Sequence, residues 1–585
     1  MTRQVRARTR PAVAAAVADR LLRQTADALP DGAGPEAERL VVDWAGPVDA
    51  ALPDERAVQA ACGLMHVHGR ATGGPAPLAV DYASAVTGVL AALGATALHI
   101  GRARGLELRE VRTSVAQGAL LSVGQYLAAA TAVRAPSEPE LPAGHAESGL
   151  ATLVASDGVR VEIETLDPDA WREFWVRLGV APGTAGRGWL PFQQRFATGA
   201  CPLPEDLRRA ARERTSEELR AAARHAGISL LAVRSDPAPA AYPEPWQLLL
   251  NPAPGTGGAE GAGLRPPGAD AFLPLAGIRV VESTRRVQGP LAGHVLRMLG
   301  ADVVRIEPPD GDPMRWLPPL AGDCSARFLA LNAGKPVVEA DLTTAQDRAG
   351  VRALIAEADV FLHNWAPGRA ARFGLSAAAM LPAQPSLVYA WASGFGDSFG
   401  DRPPTGTDYL AQVHSGLPAA VRPADEPPAP SLMTLTDVLG GLVCAQGVLS
   451  ALAVRQATGR GSRVQSSLLS AGALVPRPAH RVPFTPLDRP LRTADGHLYL
   501  GPGARRLPER VCRLLDTPSV DGVAARFALR TTQDWRARLA EAGLTATPVL
   551  TDLAGLTRDA AFRDAVAPPD PFDEYARPCT PWEFV

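Results

Sequence analysis

The sequence predicts an α/β protein: a doubly wound, mostly parallel Rossmann-like sheet in its second half, smaller α+β domains, and an internal duplication. Three observations carry this. Apolar, β-branched runs alternate with helical stretches between residues 278 and 390, the pattern of repeated βα units. Four local patterns recur in the same order in both halves. Between the halves, Asn251 to Gly268 holds almost no bulky apolar residue and reads as a flexible interdomain linker. The 585 residues divide into a shorter copy over 1–250, a linker over 251–271, a Rossmann-like part over 272–425 and a closing part over 426–585.

The duplication is read element by element. Asp81 and Asp437 each precede a long apolar run that ends at an Arg-Gly turn, Gly101-Arg-Ala-Arg-Gly105 and Thr458-Gly-Arg-Gly461, followed by a β-like stretch. Asp157-Gly158 and Asp495-Gly496 then lead into alternating strands, as tight Asp-Gly turns do. Thr215 and Thr531 open helices with an acid three residues on, and both helices close at Ala-Gly, Ala226-Gly227 and Ala542-Gly543. The two long runs, Tyr82 to Leu98 and Val438 to Val454, are rich in Gly and Ala and suit buried helices better than membrane spans.

Only about 80 residues precede Asp81, whereas about 165 separate the linker from Asp437, so the first copy lacks most of a front part that the second keeps. In that part strands are expected at 278–282, 302–306, 336–340, 359–362 and 387–390, with a helix near Gly289 to Leu299 and another capped near Thr344, Asp347 taking the capping-box position. Glu307 ends the second strand, where a dinucleotide-binding fold keeps its ribose acid. The first turn, Ser283-Thr-Arg-Arg-Val-Gln-Gly-Pro290, has no G-x-G-x-x-G, and its arginines would obstruct a pyrophosphate, which disfavours NAD.

Composition narrows the classes further. A net charge of −2 gives no basic field for nucleic acid or an anionic membrane. Six widely spaced cysteines form no C-x-x-C pair, which argues against a structural zinc site or disulfide framework and suits a reducing cytoplasm. Met1 to Arg10 reads as a basic tail running into a helix, with no cleavable leader pattern.

Several stretches of the second half together resemble the class III coenzyme A transferases, the CaiB/BaiF family. They are Pro274 to Val281, Gly289-Pro290, Leu299 to Arg315, Ala358 to Gly368, Ser393-Gly-Phe-Gly396, Thr407 to Gln412 with Ser415-Gly416, and the Asp437 helix through Gly461. The first half is similar to the family's middle and C-terminal portions only, from about Val58 to Val233. The resemblance implies the class III fold in a tandem fusion with a truncated first unit. It also implies interlocked units, so that one chain is an intrachain pseudo-dimer, a homodimer of chains being the other arrangement.

It implies a chemistry as well. Asp437 matches the family's nucleophilic aspartate, which attacks an acyl-CoA thioester to give a mixed anhydride; a helix N-terminus would help keep such a carboxylate ionised. The residue-level alternative for the same aspartate is a plain N-cap. Asp408 matches a second acidic position, an orienting or structural one. For coenzyme A binding, the resemblance implies Arg285 and Arg372 for phosphates, Asn364 and Gly368 at close backbone approach, and Lys335, the sole lysine, near the adenine. Acyl-CoA and a carboxylic acid are the small-molecule substrates; no permanently bound cofactor, metal, nucleic acid or membrane is expected. Thr407 stands where the family's racemases carry a histidine base, which disfavours racemisation. The reading is a CoA transferase; the alternatives are a CoA-thioester isomerase or racemase on the same scaffold and a non-catalytic CoA-binding scaffold protein.

Overall fold

A computed structural model describes residues 11–30, 34–132, 149–238, 243–251, 263–400, 402–570 and 573–585. The Arg-rich start and most of the Gly/Pro linker, read above as a tail and a flexible connection, lie outside the described residues.

The first half opens with helix α1 (Ala12–Asp27), strand β1 (Leu40–Asp43) and short helix α2 (Glu55–Ala61). Long helix α3 (Tyr82–Ala103), strand β2 (Val111–Ser114) and helix α4 (Val115–Thr131) follow. A small antiparallel sheet of 153–154, 160–164 and 229–232 carries its own helices and a tryptophan-rich core around Trp171 and Trp175. Strand β3 (Trp246–Leu250) closes this half.

The second half supplies β4 (Arg279–Ser283), α5 (Gln288–Met298), β5 (Asp302–Glu307), α6 (Ala326–Asn332), β6 (Val337–Glu339), β7 (Val360–His363) and β8 (Val388–Ser393). Then come α7 (Asp408–Ser415), α8 (Leu435–Thr458) and β9 (Ser462–Ser467); after a second small antiparallel sheet, β10 (Glu583–Phe584) ends the chain. The large sheet runs β6-β5-β4-β7-β8-β9-β3, parallel throughout except for β3. Its six parallel strands have the doubly wound order expected from alternating βα units, and the central strands are buried on both faces, as their Val and Ile content requires.

Helices α3 and α8 are long and apolar enough to cross a membrane, yet nearly all of each is buried inside the protein, where they pack on one another. A helix apolar all round must be covered on every side. Each buried Leu or Val of α8 contributes about 1.5–3 kcal/mol, which outweighs the roughly 1 kcal/mol that Gly440 and Gly441 each cost in helix propensity. Those glycines are needed: a Cβ at Gly441 would lie 2.7 Å from the Gln288 carbonyl of α5. A narrow polar seam crosses the pair, where Gln446 donates to Thr25 (3.1 Å) and Thr96 (3.0 Å), and Tyr82 Oη donates to the Leu435 carbonyl (2.9 Å).

The halves are related by position as well as by sequence. Sheet β1-β2-β10 repeats β8-β9-β3, a parallel pair followed by an antiparallel edge. The edges are exchanged: β3, from the first half, completes the second half's sheet, and β10, from the second, completes the first half's. Trp246 and Trp582 each follow a proline and fill the space above a helix glycine of the other half, Gly447 of α8 and Gly94 of α3. The small sheets latch alike, Asp157 accepting from the Ser216 N–H (3.0 Å) and Asp495 from the Thr532 N–H (2.7 Å).

The register of the repeat differs from the one that Asp81 and Asp437 imply. Asp81 is the residue before α3, whereas Asp437 is the third residue of α8, and the third residue of α3 is Ser84. A single offset then aligns Glu55 with Asp408, Gln59 with Gln412, Gly63 with Gly416, Ser84 with Asp437, Gly88 with Gly441 and Gly94 with Gly447. An aspartate just before a helix and one in its first turn look alike in a sequence, and α8, at 24 residues, is longer than α3, at 22, so the Arg-Gly turns that follow the helices favour the wrong register.

Candidate functional site

The strand order reverses between β4 and β7, where an α/β sheet opens a crevice at its carboxyl edge. A cleft of about 710 Å3 lies there, within the range of nucleotide-sized ligand sites. The turn after β4 forms one lip. Asn364, at the end of β7, fixes it: its side-chain carbonyl accepts from the Arg285 N–H (2.9 Å) and its amide donates to the Arg285 carbonyl (2.8 Å). Arg286 follows with φ +66°, a strained conformation for a non-glycine residue, and both arginines are exposed at the cleft wall. Leu166, Gly227 and Ser229 of the first half complete the opposite wall.

Beneath β4 and β5 lies a buried ion cluster. Arg305 meets Glu282 (3.0 Å), Glu307 (2.9 Å) and Asp312 (2.5 Å); Arg315 grips Glu307 (2.8 Å); Lys335 meets Glu282 (3.0 Å). Three acids thus balance three cations, the condition under which buried charge is tolerable. Glu307 is therefore no ribose acid: both its oxygens are taken by Arg305, Arg315 and the Asp312 N–H. Burial acts to raise its pKa, and the Arg315 and Arg305 guanidiniums more than reverse that.

Behind the wall residue Thr407, Asp408 opens α7 and is fully buried; neither it nor Asp437 is itself among the residues lining the cleft. One oxygen accepts from the Thr436 N–H (2.6 Å), the Thr436 hydroxyl (2.7 Å) and the Asp437 N–H (2.9 Å), and the other from Gln412 (2.5 Å). It thereby satisfies the free N–H groups at the start of α8. Burial nevertheless pushes Asp408 up to about 6. Asp437, half-buried, sits in that first turn. Its pKa is raised well above the carboxylate range by burial and by Asp408, with Arg286 opposing and Glu164 adding to the rise. Thr407, beside Asp408 on the cleft wall, donates to Glu164 of the first half (2.8 Å). Glu164 also accepts from buried Arg195 (2.7 Å), whose guanidinium lies over Tyr409.

The first half holds a degenerate counterpart. Glu55 accepts from the Ala83 N–H (2.9 Å), the Ser84 N–H (2.9 Å), the Ser84 hydroxyl (2.7 Å) and Gln59 (3.0 Å), repeating the Asp408 arrangement around α3. The position of Asp437 is taken by Ser84, and Asp54, the counterpart of Thr407, is closed off by Arg505 (2.5 Å).

Of the residues expected at a coenzyme A site, Arg285 and Asn364 line the cleft; Gly368, with φ +77°, starts the turn between two wall residues, Pro367 and Arg369. Arg372 lies outside the cleft wall, one helical turn beyond Arg369, which is in it. Lys335 is likewise not on that wall. Its ammonium is buried and spent on Glu282, the Pro290 carbonyl (2.8 Å) and Asn332 (3.2 Å), and burial lowers its pKa to about 8. Sequence reasoning missed Arg286, Arg369 and Glu164; a run of arginines gave no means to rank them, and Glu164 reaches the site only across the interface between halves. No group of His, Cys, Asp or Glu suited to a metal ion occurs among the described residues.

The arrangement offers a carboxylate at a helix N-terminus, steadied by a second acid and adjoining a nucleotide-sized cleft with exposed arginines. Comparison with known proteins adds the family. The sequence profile of CoA-transferase family III matches residues 45–242 and 275–567, one stretch in each half. Succinyl-CoA:glutarate CoA-transferase of Mus musculus is 29% identical over 47% of this chain and 69% of its own length. Acetyl-CoA:oxalate CoA-transferase of Acetobacter aceti is 32% identical over 39% of this chain and 59% of its own length, so the chain spans only part of these relatives. Among solved structures, a CAIB/BAIF family protein from Brucella suis is 27% identical over 51% of this chain and 89% of that one, with a TM-score of 0.45. With its profile matched across most of both halves, the chain belongs to CoA-transferase family III.

Proposed function

We propose that the protein is a CoA transferase that moves CoA from an acyl-CoA thioester to a carboxylic acid through covalent chemistry at Asp437. The observation that carries this reading is the Asp437 carboxylate in the first turn of α8, its N–H held by Asp408 behind the cleft-wall residue Thr407 and its charge felt by Arg286 of the same wall. In the first step a carboxylate oxygen of Asp437 bonds to the thioester carbonyl carbon, the C–S bond breaks, and CoA leaves as thiolate. The thiolate then attacks the Asp437 carbonyl of the mixed anhydride, releasing the first acid and leaving an aspartyl thioester. The acceptor carboxylate repeats the exchange in reverse, forming its own anhydride with Asp437, and the returning thiolate takes the acceptor acyl group and frees Asp437. Splitting one difficult exchange into activated acyl transfers is what covalent catalysis contributes. Arg285, Arg286 and Arg369 would receive CoA phosphates. Isomerisation would need a base at Thr407, whose hydroxyl instead donates to Glu164.

With Ser84 in the counterpart position, one chain would hold one reactive site, the first half serving as the partner unit of an intrachain pseudo-dimer. The six unpaired cysteines support a reducing compartment such as the cytoplasm. The test is incubation with a panel of acyl-CoAs, a hydroxylamine quench and peptide mass mapping. A hydroxamate at Asp437 that is absent from Asp437→Asn, with transfer activity down by at least about a thousandfold, is the expected result. No modification at Asp437 by any thioester, in protein that binds CoA, would overturn the reading.

A further inference from the structure

The two sides of the cleft differ in charge. Among the described residues, every charged side chain of its lining comes from the stretch between Arg285 and Arg369. The facing wall is built from 393–396 and 403–407 of the second half with Leu166, Gly227 and Ser229 of the first, and it carries no charged residue. It is also the wall that leads to Asp437: Thr407 belongs to it, and Asp408, the next residue, accepts from the Asp437 N–H.

The hydroxyls of the uncharged wall are turned to the protein. Thr407 donates to Glu164 (2.8 Å), Ser393 donates to the Ser466 carbonyl (2.9 Å), and Ser229 and Thr405 bond to one another (3.1 Å). Three of these four hydroxyl protons are thereby spent. What is left for a ligand is mainly apolar: Phe395, Pro403, Pro404 and Leu166. Leu166 is 52% exposed. It is fixed there by its neighbours, since the Asp167 N–H donates to buried Thr165 Oγ1 (3.1 Å) and the Asp167 side chain caps the helix Pro168–Arg177. A lone exposed leucine is ordinary; one fixed in the uncharged wall of a cleft, with two prolines and a phenylalanine in the same wall, is a place for hydrocarbon.

An acyl-CoA is itself two-ended, with its phosphates at one end and its acyl chain at the other. We propose that the uncharged wall is the acyl subsite, that it takes the chain of an aliphatic monocarboxylic acid, and that Leu166, supplied by the first half, is a specificity-determining residue. The inference rests on the transfer reading, which puts a CoA thioester in the cleft, and goes beyond it by naming the substrate class. A chain that ends in a second carboxylate would bring a charge to a wall with no cation to receive it, and stripping water from that charge is unfavourable. A hydrocarbon end gains from the same burial.

The test is titration calorimetry of the full chain carrying Asp437→Asn, which leaves the thioester unreacted, with CoA, hexanoyl-CoA and adipoyl-CoA. The two acyl groups have the same number of carbons and differ at the far end, methyl in one and carboxylate in the other. Hexanoyl-CoA is expected to bind tighter than CoA by about tenfold or more, and adipoyl-CoA no tighter than CoA. Adding Leu166→Arg, at an exposed position, should reverse the order of the two thioesters, with melting temperatures reporting that each variant is folded. Equal affinity for CoA and hexanoyl-CoA, adipoyl-CoA bound as tightly as hexanoyl-CoA, or an order indifferent to Leu166→Arg would each overturn the proposal. Preferential binding of hexanoyl-CoA with no Asp437 hydroxamate in the unaltered protein would count against the transfer reading and leave the subsite standing; no binding of CoA itself would remove both.

Discussion

At the scale of single residues, the site turns on how charges are shared around Asp437. In the proposed reaction its carboxylate attacks as the anion, and burial with Asp408 nearby raises its pKa. The acidic limb of kcat/KM is therefore expected above the roughly pH 4 of a free carboxylate. Arg286 favours the charged form, so Arg286→Gln should move that limb to higher pH; Glu164 disfavours it, so Glu164→Gln should move it to lower pH. Opposite displacements in the two profiles check the assignment. Lys335 gives the converse case. As a partner in the buried cluster, its replacement by Met leaves Glu282 with one cation fewer and should cost about 3 kcal/mol of stability with little change in CoA affinity. Arg369→Gln, at an exposed wall position, should weaken CoA binding and leave the melting temperature nearly unchanged.

At the scale of elements, the parallel strands and the two long helices were legible because their causes are local. Val-rich runs separated by helical stretches leave few other folds, and a helix apolar on every face has to be central. The true register of the repeat was also on the page, in Glu55-x-x-x-Gln59 and Asp408-x-x-x-Gln412, but an aspartate before each apolar run is the louder signal and misaligns the helices by three residues. What no local pattern gives is the partner of a strand. Trp246-Gln-Leu-Leu-Leu250 reads as the end of the first half and is hydrogen-bonded to β9 of the second. The exchange is held by Trp246 and Trp582, both buried against the opposite half's long helix; Trp582 Nε1 also donates to the Leu90 carbonyl (2.8 Å). Trp582→Ala should lower unfolding free energy by about 3–5 kcal/mol, measured by denaturant titration, although the residue belongs to neither half's site.

For the whole molecule, the fusion makes the halves unequal partners. One keeps the large parallel sheet with its cleft and Asp437; the other keeps the small sheet that brings Glu164 and Ser229 to the site, and has Ser84 at the position of Asp437. Calorimetric titration with CoA should therefore give a stoichiometry of one per chain, not two. The Glu164 contribution to the site was invisible in the sequence for a plain reason: residues 164 and 407 are 2.8 Å apart only because the halves clasp each other.

That clasp has a consequence for how the protein behaves on dilution. When two separate subunits share a site, activity is lost as they part; here the donor of Glu164 is tethered to its recipient and its local concentration is set by the chain itself. Activity per chain should accordingly stay constant down to concentrations at which an ordinary dimer of the same interface falls apart. The second consequence is the loss of conversation between twins: with the one reactive centre proposed for each chain there is no equivalent neighbour to sense, and saturation by acyl-CoA should follow a simple hyperbola.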